Sequence, residues 1–272
     1  GEADDFFDFA APAFEPAAGS FRLVNALWLA ELSRLVYNCA PSRPAILEQA
    51  GFTEVASLSH HSLQALLVSP TTTGSESCSI LVFRGTHDLR NWISNITIAH
   101  APWPPGGIVH KGFKDALDTV WREIESWLDR YPTPRAFYAG HSLGGALATL
   151  AASRRPTKAV YTFGAPRVGD AAFCATLHKT AVHRIVNGQD IVPGLPLQHN
   201  VIDFQHPEDE PALHLRHTDL EMPFIEPPLS VENVLWRHLQ PPPALADHAP
   251  VNYVARLQAA NTGTSDNESL GH

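Results

Sequence analysis

The stretch Ala136-Phe137-Tyr138-Ala139-Gly140-His141-Ser142-Leu143-Gly144-Gly145-Ala146 joins an apolar run to a run of small residues that continues to Ala152. An apolar run, a glycine-flanked serine and then small residues predict a buried strand, a sharp turn and a closely packed helix. In that setting Gly-x-Ser-x-Gly is a nucleophile-elbow pattern. The reason is steric. A serine at the tip of a strained turn draws the residues two before and two after it together, and Gly140 and Gly144 have no side chains to collide there. Gly145, Ala146 and Ala148 let the helix lie near the sheet, and its N-terminus then directs partial positive charge at Ser142. The competing reading is an ordinary glycine-rich turn. The strand before and the helix after favour the elbow.

Outward from this turn, the pattern alternates strand and helix. Phe113, Ala116, Leu117, Val120, Ile124 and Trp127 share one helical face, and Pro132 and Pro134 close that helix. Ala159 to Phe163 reads as a strand stopped by Gly164-Ala165-Pro166, Ala171 to Leu177 as a short helix, and Val182 to Val186 as another strand. Strands alternating with helices predict an α/β fold, a mostly parallel central sheet with helices on both faces. Upstream, Phe21 to Tyr37 has helical spacing, with Ser20 as its cap and Pro41 and Pro44 ending it. Gln64 to Val68 and Ser79 to Phe83 read as a hairpin around a turn at Thr71 to Gly74. Residues 193–250 are rich in Pro and His and read mainly as loops, and Val251 to Gln258 reads as a last helix. The expected organisation is an arm over 1–19, one domain over 20–260, and a polar tail over 261–272 that is expected to be disordered.

With 272 residues the chain is long enough to bury a large core. Its net charge is −9, from 19 Lys+Arg against 28 Asp+Glu, and no basic stripe is present, which argues against nucleic acid as a partner. No apolar run is long enough for a transmembrane helix. No signal-peptide pattern opens the chain, which starts at Gly1, so a soluble protein is expected, with secretion left open. The three cysteines, Cys39, Cys78 and Cys174, are dispersed without a CxxC, which excludes a dense disulfide framework and a cysteine zinc site.

A serine hydroxyl needs a base to take its proton and a carboxylate to orient that base. On an elbow fold these follow in the order Ser, Asp or Glu, His. Asp190 lies just past the second parallel strand after the elbow strand, at the carboxyl ends where ligands sit. Asp203 and Asp219 compete but follow no clear parallel strand. The histidines considered as base are His199, His206, His214, His217, His238 and His248. His248 is favoured because it sits on a loop anchored by the last helix. The oxyanion of an acyl-transfer transition state needs two backbone donors. One is expected from Leu143, directly after the serine, and the other from the loop Phe83-Arg84-Gly85-Thr86, at Thr86. Leu89, Trp92, Ile93 and Ile96 fall at i, i+3, i+4 and i+7 and predict a short amphipathic helix. It reads either as a surface helix or as a lid whose apolar face meets acyl chains. Pro102, Pro104, Pro105, Gly106 and Gly107 are a candidate hinge for it.

Together these blocks resemble the class 3 lipases, the fungal triacylglycerol lipase family with an α/β-hydrolase fold. The resemblance is carried by Phe83 to Thr86, Arg90-Asn91-Trp92, Val109 to Phe113, Gly140 to Gly145, Thr162 to Asp170, Arg184 to Pro193 and Asp247-His248, in the family's order over about residues 80–250. It implies Ser142 as nucleophile, Asp190 as acid, His248 as base, Thr86 and Leu143 as oxyanion residues, and a lid helix around Trp92. It implies hydrolysis of carboxylic esters of glycerolipids at a lipid–water interface, with no cofactor and no metal. Related members include feruloyl esterases and phospholipases A1, so soluble-ester hydrolysis and phospholipid hydrolysis are the alternatives within enzymes. A ligand-binding protein on a hydrolase scaffold is the alternative of another class. Oligomeric state, acyl preference and biological target are left open.

Overall fold

Chains of alternating apolar strands and one-faced helices must bury both faces of a sheet, and among the described residues the main sheet does so with seven strands. A computed structural model describes residues 5–38, 41–61, 63–71, 77–85, 99–196, 204–207, 213–215 and 246–268. In chain order these contain α1 (Leu23–Leu35), α2 (Arg43–Gln49), β1 (Phe52–His60), β2 (Leu63–Pro70), β3 (Cys78–Phe83), β4 (His100–Pro102), β5 (Ile108–His110), α3 (Lys111–Arg130), β6 (Arg135–His141), α4 (Leu143–Arg154), β7 (Ala159–Phe163), α5 (Ala171–Ala175), β8 (Ala181–Asn187), β9 (Leu213–Leu215) and α6 (Pro250–Glu268). The main sheet has the order β1-β2-β3-β6-β7-β8-β9. The first three strands pair antiparallel, and every pairing from β3 onward is parallel. Register aligns Phe83 with Gly140, Gly140 with Thr162, and Phe163 with Ile185. The carboxyl ends of β3, β6, β7 and β8 therefore lie side by side.

Alternation along the strands divides the core in two. Tyr138 on β6, with Leu81, Val160 and Val182, packs with Phe113, Leu117 and Ile124 of α3 and with the small residues of α4. Phe137 and Ala139 point to the other face, where α1 and α6 cover the sheet through Leu27, Leu32, Tyr253 and Leu257. Burying each large side chain contributes about 1.5–3 kcal/mol relative to exposure. Phe6, Phe7, Phe9 and Phe14 of the N-terminal arm pack on this second face. The arm is tied to α1 by Phe7 N–H donating to Glu31 at 2.7 Å and Arg34 donating to the Asp5 carbonyl at 2.6 Å.

Several elements differ from the sequence reading. The first helix starts at Leu23 with Arg22 rather than Ser20 at its cap. Pro44 does not merely stop it. It occupies the first turn of α2, where a missing N–H costs nothing because that donor has no helical acceptor. The weakly apolar alternation of Phe52–His60 hid β1, which pairs along its length with β2. Leu213–Leu215, inside the stretch read as loops, adds β9 beside β8. The candidate hinge is a closed turn between β4 and β5. Trp103 N–H donates to the Gly107 carbonyl at 2.9 Å, and the buried indole donates to Ser153 at 2.8 Å. Finally, α6 runs on to Glu268, through much of the segment expected to be a disordered tail, since extending a nucleated helix costs little. Among the described residues no helix is long and apolar enough to cross a membrane.

Candidate active site

The strand β6 ends at His141 and α4 begins at Leu143, so the whole reversal falls on Ser142. Its backbone has φ 58° and ψ −128°, a conformation that costs a non-glycine residue about 1–3 kcal/mol. Neighbouring structure holds it there. Ser142 N–H donates to the Phe163 carbonyl at 2.9 Å, and Gly145 N–H donates to the Ser142 carbonyl at 3.0 Å. The elbow closes only without side chains. A Cβ on Gly140 would stand 2.2 Å from the Gly144 carbonyl carbon, and one on Gly144 would stand 2.2 Å from the Phe83 oxygen. Leu143 is the first helical residue, so its N–H is an orphan donor beside the serine.

His248 and Asp190 meet at this turn. His248 Nδ1 lies 2.7 Å from Asp190 Oδ2, with both residues buried. A carboxylate accepts only, so Nδ1 carries a proton, and in the neutral ring Nε2 then presents a lone pair. His248 Nε2 and Ser142 Oγ are both buried, and neither has a hydrogen-bond partner among the described residues. Two observations put them on the same side of the turn. The His248 ring lies 4.5 Å from the ring of His141, the residue before the serine. Gly164, next to the carbonyl that receives Ser142 N–H, would place a Cβ 3.0 Å from His248 Nδ1. Catalytic hydrogen bonds are commonly open in a ligand-free site and tighten on substrate binding.

A buried network fixes Asp190 and His248. Asp190 Oδ2 also accepts from the Tyr253 hydroxyl at 2.6 Å, and Oδ1 accepts from Val192 N–H at 2.9 Å. Tyr253 in turn accepts from Asn187 N–H at 3.1 Å. Burial, and then the charge of Asp190, push the Tyr253 phenol well above its ordinary range, so it stays a donor. Asp247 straps the two loops together. Its carboxylate accepts from Gln189 N–H at 2.7 Å and its carbonyl from Asn187 Nδ2 at 2.9 Å. On the other flank His141 Nε2 lies 2.6 Å from the His248 carbonyl, which can only accept, so this nitrogen carries the proton. His141 Nδ1 then accepts from the Tyr37 hydroxyl at 3.1 Å. Burial, and next the neighbouring His248, hold His141 neutral by lowering its pKa far below that of a free histidine. No second positive ring therefore competes with His248.

The structure thus brings together Ser142, Leu143, Asp190 and His248. Thr86, Leu89, Trp92, Ile93 and Ile96 lie outside the described residues, as do Asp203, Asp219, His199, His217 and His238. His206 and His214 are elsewhere. His206 is bonded to the Pro193 carbonyl at 2.8 Å, and His214 is exposed on β9. Sequence reasoning missed Tyr37, His141, Asn187 and Tyr253. Asn187 had a signal, since it ends the strand that delivers Asp190. Tyr37 had none, because only the packing of α1 on the sheet carries it to His141. Among the described residues no cluster of His, Cys, Asp and Glu could hold a metal ion.

The family model described as lipase (class 3) matches residues 80–200. A lipase of Rhizomucor miehei is 40% identical over 139 residues, 45% of this chain and 38% of the relative. A secreted mono- and diacylglycerol lipase A of Penicillium cyclopium is 32% identical over 135 residues, 45% of this chain and 44% of the relative. The solved Rhizomucor miehei triacylglyceride lipase superposes with a TM-score of 0.53 at 30% identity, covering 63% of this chain and 73% of that one. The chain spans about two-fifths of the length of the curated relatives it matches.

Proposed function

The chain belongs to the class 3 lipase family, and from that premise we propose that it hydrolyses carboxylic esters of glycerolipids through an acyl-enzyme on Ser142. The observation that carries the proposal is the buried Asp190–His248 pair beside a serine held at the tip of a strained turn. In this reading the proton-free Nε2 of His248 takes the Ser142 proton as Oγ bonds to the ester carbonyl carbon. The tetrahedral intermediate collapses, the carbon–oxygen bond to the alcohol breaks, and Nε2–H protonates the departing alcohol. Water, deprotonated by the same nitrogen, then attacks the acyl carbon. The acyl–serine bond breaks and the proton returns to Oγ. Asp190 fixes the tautomer and stabilises the imidazolium. The Leu143 N–H and Thr86 receive the oxyanion, a contribution of about 2.7–4 kcal/mol per donor in comparable sites.

Ser142 is 1% exposed, which fits a site that an ester reaches through movement of the chain around it. The spacing of Leu89, Trp92, Ile93 and Ile96 supports a lid that exposes an apolar face at a lipid surface. The similarity to relatives named for mono-, di- and triacylglycerol substrates supports glycerolipid esters as the substrate class. The test is Ser142→Ala, expected to lose at least about 10³-fold in turnover. It is paired with a phosphonate label expected on Ser142 alone. A hydrolysis panel of mono-, di- and triacylglycerols and phospholipids then tests the substrate class. Retained turnover in Ser142→Ala refutes the mechanism, and activity confined to phospholipids refutes mono-, di- and triacylglycerols as the substrates in favour of a phospholipase.

A further inference from the structure

At the opposite end of the sheet from Ser142, the start of β6 and the connections into β6 and β7 border an open cavity of about 510 Å³. It lies at the amino ends of the parallel strands, about 20 Å from the elbow along β6 at roughly 3.3 Å per residue. Its volume is that of a small-molecule pocket, about 300–1,000 Å³. Arg135, Arg155 and Lys158 contribute to its wall, and no carboxylate does, although the chain as a whole is strongly acidic. Leu128, Tyr131 and the rings of Pro132, Pro134 and Pro156 add apolar patches to a wall whose exposed surface is more polar than apolar.

The polar groups of this wall divide into those already used and those still open. Ser79 and Thr133 hydroxyls bond each other at 2.9 Å, Thr133 donates to the Arg135 carbonyl at 2.7 Å, and Thr157 donates to the Ala136 carbonyl. Tyr138 differs. It is 1% exposed, it lines the cavity, and its hydroxyl has no hydrogen-bond partner among the described residues. The hydroxyl opens into the cleft, where solvent or a ligand satisfies it. Burial raises this phenol to about 12 against the opposing pull of Arg155, so it remains a donor and the guanidinium is near it. Arg155 is held by Asp129 at 2.6 Å and by the Leu128 carbonyl at 3.3 Å, which leaves other donors of its planar fork open. The Lys158 ammonium makes no ion pair among the described residues.

We propose that this cavity is a second, non-catalytic binding site for a small organic carboxylate with an apolar body. Arg155 and Lys158 receive the carboxylate, Tyr138 donates to one of its oxygens, and the proline and tyrosine rings cover the body. A planar two-oxygen acceptor suits a guanidinium fork, and Leu128 and the proline rings give a hydrocarbon or aromatic body contacts that a bare inorganic anion lacks. The site is independent of the proposed ester hydrolysis.

The test is calorimetric titration of the full chain with octanoate and with benzoate, against acetate and inorganic phosphate. One of the two larger acids is expected to bind saturably, one per chain, in the millimolar range or below. Tyr138→Phe removes the hydroxyl and keeps the ring. It is expected to weaken that binding by about tenfold, the loss of one hydrogen bond to a charged group. Lys158→Met is expected to weaken it and to flatten its dependence on salt. Both variants should keep wild-type ester hydrolysis and unfolding temperature. Absence of saturation by either acid overturns the proposal. So does wild-type affinity in both variants, or equal affinity for inorganic phosphate.

Discussion

Gly164→Ala is the sharpest perturbation of the Asp190–His248 pair that removes no polar atom. Gly164 has φ +61°, and a Cβ there would stand 2.5 Å from Asp190 Oδ2, 2.8 Å from the Tyr253 hydroxyl and 3.0 Å from His248 Nδ1. Ordinary van der Waals contact begins near 3.4 Å, so the carboxylate must retreat by nearly 1 Å. The left-handed backbone adds about 1–2 kcal/mol for an alanine. The carboxylate cannot retreat freely, because Val192 N–H, Tyr253 and His248 all hold it. The imidazole therefore turns away from the serine. A displacement of about 1 Å at a reacting group costs about 10²-fold in rate. We expect kcat on a soluble chromogenic ester to fall by about that factor with KM nearly unchanged. The matching control is Gly194→Ala, where nothing lies within 4 Å of the added carbon, and wild-type kinetics are expected. If Gly164→Ala folds and retains kcat within about threefold, the buried pair does not drive the reaction and the reasoning fails.

Further expectations follow from the same contacts. Tyr253→Phe strands Asn187 N–H and takes one donor from Asp190, so thermal unfolding should show a loss of about 1–3 kcal/mol, and kcat should fall while KM holds. An unchanged melting curve would contradict the network. Acid stability should depend on buried neutral histidines. Burial, then the charge of Arg184, lowers His206 to about 3, and burial lowers His141 as well. Unfolded histidines titrate near 6.5, so below that pH the unfolded chain binds more protons and stability falls toward pH 3, by up to about 1.4 kcal/mol per pH unit for each histidine. His206→Gln should flatten urea-derived stability against pH across that window, and an unaltered slope would count against it. Leu117→Ala, in the core beneath α3, should cost about 2–5 kcal/mol in urea unfolding, without changing Asp190 or His248 chemistry. A loss below about 1 kcal/mol would mean the site is loosely packed.

What the sequence determined by itself was whatever depends on neighbours along the chain. The elbow around Ser142, the one-faced helix beginning near Phe113 and the strands ending at Phe163 and Val186 were all legible from residue size and period. So was the Ser142, Asp190, His248 order, because Ser142 and Asp190 follow strand ends and His248 sits on the loop before the last helix. The tertiary structure decided what depends on packing between distant segments. It brought Tyr37 to His141, Tyr253 to Asp190 and Asp247 to the backbone of Gln189. It also placed His206 against the Pro193 carbonyl and His214 in an exposed position on β9. Periodicity records which face of a segment is buried and carries no information about what it is buried against. A hydrogen bond spanning a hundred residues therefore leaves no mark until the chain closes on itself.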